Sequence, residues 1–404
     1  MRTSRILNHK KTQGTKLQLK ILSLSILISA CAATPKKEPA LAQRVTIETS
    51  NEVGVSAHGE KIFLGGFSGL RFVQVDPQTG EDVFITHTDR GPNAEPIKNK
   101  KGQEVRPFLI PSFQPKIVWI RVNKERTSAK VDRVLSLYKA NGKTVSGLPN
   151  KMTDEIPVDA KGQKLKRDME GLDLEAIALE ADGSFWMGDE YGPSLVHFDK
   201  DGKWLDRYDP GNGLPEVLKF RKDNRGFEGI AIKGKKIYAF LQSPLNLKDT
   251  GRKTRGSIRI IEFDLDQKKT TGQYVYFFSC KGCDKIGDVD TSSNGNLLVI
   301  ERDGKVGPES SKVVYEVNLD GATNIHSMEE FQSKTGAVEF FSEAELTEMG
   351  VHSVKKKMVV DLVNRGFVFS EKAEGLAEVD SKTLAIMNDN DFGVIPNSDN
   401  KSYI

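Results

Sequence analysis

Four carboxylates recur at the head of similar apolar segments: Glu175 in LDLEAIAL, Glu228 in RGFEGIAI, Asp288 in KIGDVDTS and Glu374 in EKAEGLAEV. An acid there is costly to bury unless something positive meets it. Fourteen residues after each stands a second polar residue: Asp189, Gln242, Arg302 and Asn388. Around three of these lie denser clusters: GDEYG with Asp189 and Glu190, ERDG with Arg302 and Asp303, and NDNDFG with Asp389 and Asp391. Crowded carboxylates resist ionising together, so hard cations, arginines or backbone amides must neutralise them. An inventory of oxygen donors suits calcium, with magnesium as the alternative, better than zinc. Asp189, Asp303, Asp389 and Asp391 are the predicted metal ligands, and Arg90 and Arg225 the predicted holders of an anionic substrate. Asp189, Glu190, Glu228 and Arg302 form the predicted catalytic set, beside a cation that polarises a phosphoryl group and activates water. The rival reading of these acids is structural, as caps of turns and ties between neighbouring sheets.

The elements that would position them follow one plan. After each copy a Gly-bearing turn leads to a second apolar strand, as in LEAIALEADGSFWMGDEYG, and two further strands follow most pairs. GGFSGLRFVQVDPQTGEDVFITHTDRGPN is a fifth copy, with Ser68 where the others carry an acid. Four short antiparallel strands with Asp-Gly turns, repeated at 53 and 60 residues, are the pattern of propeller blades. The predicted fold is therefore all-β, a β-propeller of four-stranded blades with five visible. The 107 residues from Ser68 to Glu175 and the 86 from Asp288 to Glu374 leave room for a sixth. Innermost strands line the channel, so Glu175, Glu228, Asp288 and Glu374 are expected to ring one mouth. Helical signals are confined to Pro215 in GLPEVLKF and a capping box of Ser342 and Glu345.

The first thirty residues hold six of the 59 Lys and Arg and none of the 56 Asp and Glu, followed by the apolar run 21–30 and Cys31. That pattern predicts an export signal, too short for the roughly 18 to 20 residues of a membrane span. ISAC resembles the lipobox of bacterial lipoproteins, which implies a lipidated Cys31 and a membrane-tethered domain in the cell envelope. The expected organisation is a signal over 1–30, a tether over 31–49 and a propeller over 50–404. The remainder carries a net −3 without basic blocks, which argues against nucleic acid as a partner. Cys280 and Cys283 in SCKGCDK are expected to form a loop disulfide in an oxidising compartment, a free pair or a redox or metal role being the alternatives. No G-x-S-x-G elbow occurs, and Ser194 and His197 fall on opposite faces of one strand.

Taken in order, DRGPN, LDLEAIAL, FWMGDEYGPSLVHFDKDGKWLDRY, RGFEGIAI, SNGNLLVIERDG and NDNDFG resemble the phytase-like propeller family described as having esterase-like activity of phytase, over about residues 50–393. The resemblance implies a propeller, export and hydrolysis of phosphoesters or carboxylesters. The DDPA-type and NNVD-type segments of calcium-dependent propeller phytases are missing, which argues against phytate itself as substrate. The leading reading is a metal-assisted phosphoester hydrolase, and the alternative a non-catalytic propeller that binds a ligand or protein partner at the same rim. Labelled palmitate is expected to enter the wild-type protein and not Cys31→Ser. Equal partition of both into the aqueous phase of a detergent extraction would overturn the lipid anchor.

Overall fold

The computed structural model describes residues 41–56, 59–151, 153, 155–395 and 401–404. The expected signal, Cys31 and the first part of the tether lie outside the described residues. No helix among those described is long and apolar enough to cross a membrane.

Four antiparallel sheets have the expected four-strand plan. The first runs Phe67–Val75, Asp82–Thr88, Lys116–Val122 and Ala129–Ser136, with Ile47–Glu48 parallel on its outer edge. The second runs Leu174–Leu179, Phe185–Asp189, Ser194–Phe198 and Trp204–Pro210, and the third Phe227–Lys233, Lys236–Leu241, Ser257–Asp264 and Lys269–Phe277. The fourth runs Lys285–Thr291, Leu297–Arg302, Lys312–Asn318 and Lys355–Asp361. In the fifth, the hairpin Ala373–Asp380 and Thr383–Asn388 is extended by both ends of the described chain. Asn388 N donates to Tyr403 O, Ile404 N to Val45 O and Ile47 N to Ser402 O. The tether predicted to reach residue 49 thus ends sooner, because Val45 and Ile47 bury their side chains in the domain.

Each sheet's first strand neighbours the first strands of the sheets before and after it, and the fifth returns to the first. The result is a propeller whose core is a set of wedges. Ile85 and Ile177, Phe227 and Trp186, Ile258 and Val289, Ile300 and Leu376, and Met387 and Leu70 belong to five apolar clusters, each shared by two adjacent sheets. A lone sheet would leave both faces wet, so radial stacking supplies the hydrophobic stabilisation. No sixth inner strand occurs among the described residues. The long interval after the first hairpin holds that sheet's outer strands and a small sheet of Ile97–Lys98, Glu104–Phe108 and Pro157–Asp159. The other interval holds outer strands, 3-10 turns and the helix Glu343–Glu348, which starts in the predicted capping box.

Arg71 and Asp288 pin the ring from inside. Asp288 Oδ2 accepts from Leu70 N (3.1 Å), Leu376 N (2.8 Å) and Arg71 Nη1 (3.0 Å), while Arg71 Nη2 donates to Ile230 O (2.6 Å). Four of the five sheets are joined by this pair. Burial pushes the Asp288 carboxyl up to about 6 against the pull of Arg71. Arg71→Ala would leave that carboxylate uncompensated, and chemical denaturation is expected to read a loss of roughly 3–5 kcal/mol. A loss below about 1 kcal/mol, the scale of a surface pair, would show that the pin is dispensable.

Candidate acidic centre at the channel mouth

The repeat glutamates owe their direction to β-bulges. Leu174 pairs with Asp189 and Ala176 with Gly188, so Glu175 is the extra residue. Phe227 pairs with Leu241 and Gly229 with Phe240 around Glu228, and Ala373 with Asn388 and Gly375 with Met387 around Glu374. A bulge re-aims its side chain out of the pleat, here into the channel. Close packing at this end requires glycine at 226, where a Cβ would stand 2.4 Å from Asp189 O.

Asp288 breaks the pattern expected from the spacing. Ile286 pairs with Glu301 as Leu174 does with Asp189, so the matching position is Gly287. Its Cβ would lie 2.1 Å from Ala373 O. Asp288 stands one residue further along and belongs to the internal pin, whereas Glu175, Glu228 and Glu374 share the mouth.

Gln242 links two of the acids there. Its Nε2 donates to Glu228 Oε2 (2.6 Å) and Glu190 Oε1 (3.1 Å), and Asn224 Nδ2 donates to Glu190 Oε2 (2.5 Å). Arg302 lies between Glu228 Oε1 (3.3 Å) and Glu374 Oε1. Burial, then the neighbouring Glu374, pushes Glu228 up to about 8. Glu190 and Glu175 are raised well above the usual range by burial and by Asp173, among other carboxylates.

Asp89, Asp173 and Glu175 bring carboxylate oxygens within 4.8 Å of one another. Asp89 and Asp173 are buried and Glu175 half-buried. Burial and the neighbouring Asp389 and Asp173 carboxylates hold Asp89 far above its ordinary value. Asp173 Oδ2 lies 3.2 Å from Arg90 Nη1 yet accepts no hydrogen bond. All-carboxylate donors, one of them a buried oxygen without a hydrogen bond, fit a hard divalent cation.

The metal set read from the sequence is divided among other duties. Asp189 accepts from Asp173 N (3.0 Å), Tyr191 N (3.2 Å), Ser194 Oγ (3.1 Å) and Arg207 Nη2 (3.1 Å). Asp303 accepts from Lys305 N (3.2 Å) and Ser311 N (3.0 Å), which caps its own loop. Asp389 and Asp391 are bridged by Lys372 Nζ at 2.5 Å from each. Burial and Asp391 push Asp389 up to about 7. Arg90 is taken by Glu155 (2.8 Å), Asn224 (2.9 Å) and Asp173, so it is no open clamp. Arg225 is the partly open arginine, 35% exposed, reaching Gln242 Oε1 and lying 3.7 Å from Glu190.

Other expectations resolve simply. Cys280 and Cys283 form a disulfide, and Glu301 accepts from the amides of Ser279 (2.9 Å) and Cys280 (2.7 Å) in its loop. Ser194 turns to Asp189 while His197 stacks on Trp186 and bonds Ser184, so the two do not meet. Reading acids only at the repeat positions missed Asp89, Asp173 and Lys372. The last two stand two residues before Glu175 and Glu374, one strand pleat away, and that offset was the available signal.

The family model for phytase-like proteins, with esterase-like activity of phytase, matches residues 62–392. The chain belongs to the phytase-like family. An uncharacterized secreted protein of Arthroderma benhamiae is 32% identical over a stretch covering 26% of this chain and 26% of that protein. Similar solved structures include the luciferin-regenerating enzyme (10% identity, TM-score 0.36, covering 84% of this chain and 92% of that one). Hydrazine synthase of Kuenenia stuttgartiensis is another (11%, TM-score 0.38, covering 88% and 98%). Neither likeness bears on what this phytase-like chain acts upon.

In this phytase-like chain the raised carboxyls set a sign for pH. Glu228 keeps its proton in the folded state up to about 8, whereas it is lost in the unfolded chain near its ordinary 4.5. The folded state therefore binds more protons across that window, and stability falls as pH rises through it, by about 1.4 kcal/mol per unit for each such group. Metal-free protein is expected to show a lower denaturation midpoint at pH 8 than at pH 6, with a shallower slope in Glu228→Gln. Equal slopes in the two proteins would contradict the assignment.

Proposed function

We propose that this chain hydrolyses ester bonds, with phosphoesters as the leading class, at the acidic mouth of its propeller. The observation that carries the reading is the crowding of Asp89, Asp173, Glu175, Glu190, Glu228 and Glu374 around too few cations. Membership of a family named for esterase-like activity supports the same class of reaction. Calcium, or magnesium in its place, would be held by Asp89, Asp173 and Glu175, and when bound would polarise the ester oxygen. Glu228 is the proton carrier in this reading. Its raised pKa lies near neutrality, where a general base or acid works best, and Gln242 fixes one of its oxygens at 2.6 Å. Arg302 would hold Glu228 and Glu374 in place and Arg90 would anchor Asp173, both by their ion pairs. The setting proposed is the cell envelope, with Cys31 as the lipid attachment point. A relative named as secreted is consistent with export.

Turnover of p-nitrophenyl phosphate and p-nitrophenyl acetate is expected with calcium or magnesium and to cease with chelator. Glu228→Gln is expected to cut kcat by about 100-fold or more, the usual scale for loss of a proton-transferring group. The cation should also raise stability by about 2.7 kcal/mol at a hundred times its Kd, a gain lost in Asp173→Asn. Silence on both esters, with or without cations, would leave the mouth as a binding platform.

A further inference from the structure

Beside the acidic mouth lies a patch of opposite sign. Gln242 N donates to Gly226 O (3.0 Å), and Ile286 N donates to Gln242 O (2.9 Å). The starts of the third and fourth sheets therefore flank Gln242, which brings Arg225, beside Gly226, close to Lys285, beside Ile286. Lys285 is also the cross-strand partner of Arg302. Lys222 precedes Arg225 on a loop turned by Asn224, whose φ is 52°. All of Lys222, Arg225 and Lys285 are half-buried.

Carboxylates abound nearby, yet of these three cations only Arg225 reaches one, lying 3.7 Å from Glu190. Among the described residues no ion pair joins Lys222 or Lys285 to an acid, because Glu190 and Glu228 are occupied by Asn224, Gln242 and Arg302. Burial, then Arg302 and Arg225, lowers the Lys285 pKa, with Asp284 and Glu371 pulling the other way. For Lys222, burial lowers it, Asp284 opposes, and Arg225 and Lys248 add to the lowering. Half-buried ammonium groups that repel one another are relieved by an anion.

We propose that Lys222, Arg225 and Lys285 form the seat of a phosphate group, placed against the Glu190–Glu228 pair so that the substrate's anion rests on the cations and its ester bond faces the acids. The word substrate rests on the ester-hydrolase reading, whereas anion binding does not. Arg225 is the shared member, reaching Gln242, whose amide holds both glutamates. The two added lysines, one on a loop and one at the start of a strand, stand more than sixty residues apart in the chain.

Titration calorimetry with inorganic phosphate on the full protein tests this, at fixed ionic strength in sodium chloride. Wild type is expected to bind phosphate, and the double variant Lys222→Gln/Lys285→Gln to bind it at least about tenfold more weakly. Lys285→Arg, which keeps the charge, should restore most of the affinity. The double variant's melting temperature should not fall, since it removes cations that repel one another. Phosphate should compete with p-nitrophenyl phosphate in the wild type. No phosphate binding by wild type, equal binding by wild type and the double variant, or binding without competition would each overturn the seat. If phosphate binds as expected but no ester is turned over, the seat stands and the hydrolase reading falls.

Discussion

Carboxylates from several sheets meet at one end of the channel, and their mutual repulsion is the constraint around which this molecule is organised. Burial alone would suffice to raise their pKa values, and proximity adds to it. The fold answers with a limited set of cations, each shared: Arg302 between Glu228 and Glu374, Lys372 between Asp389 and Asp391, Arg90 between Asp173 and Glu155. Burial first, and then the neighbouring Glu374 and Asp391 carboxylates, raise the pKa of Glu228 and Asp389 despite that sharing.

Holding like charges together requires a frame that resists opening. Five apolar wedges bind each sheet to the next, and residues 402–404 hydrogen-bond to Asn388 of the last hairpin and to the residues around Val45. Beneath the mouth, Arg71 and Asp288 reach across the channel to backbone groups of several sheets, so the ring is tied at its axis as well as its perimeter. Arg71 also lies 3.7 Å from Asp290, so at the axis too one cation is shared by two carboxylates.

The charge at the rim is also polar in arrangement. Carboxylates of the first and second sheets gather on one side, and lysines with Arg225 at the starts of the third and fourth sheets on the other. Gln242 stands at the boundary, its backbone joining the two sheets and its amide joining the two glutamates.

Sequence by itself determined the repeat, and through it the propeller, because apolar strands with glycine turns at regular intervals can bury their faces only by stacking on copies of themselves. It also determined that Glu175, Glu228 and Glu374 share a mouth, since a repeat puts like residues in like places, and that Cys280 and Cys283 lie close enough to bond. Register was decided only in three dimensions. One extra residue in a bulge separates Gly287, at the rim position, from Asp288, inside the channel, and a fixed fourteen-residue interval cannot see that slip. Partner choice was likewise tertiary: Asp189 and Arg90 look like site residues by type and setting, but Arg207, Ser194, Glu155 and Asn224 reach them from other strands and loops and occupy them. Which carboxylates stay unsatisfied depends on what the rest of the chain brings within 4 Å, and that is fixed by packing rather than by any local pattern.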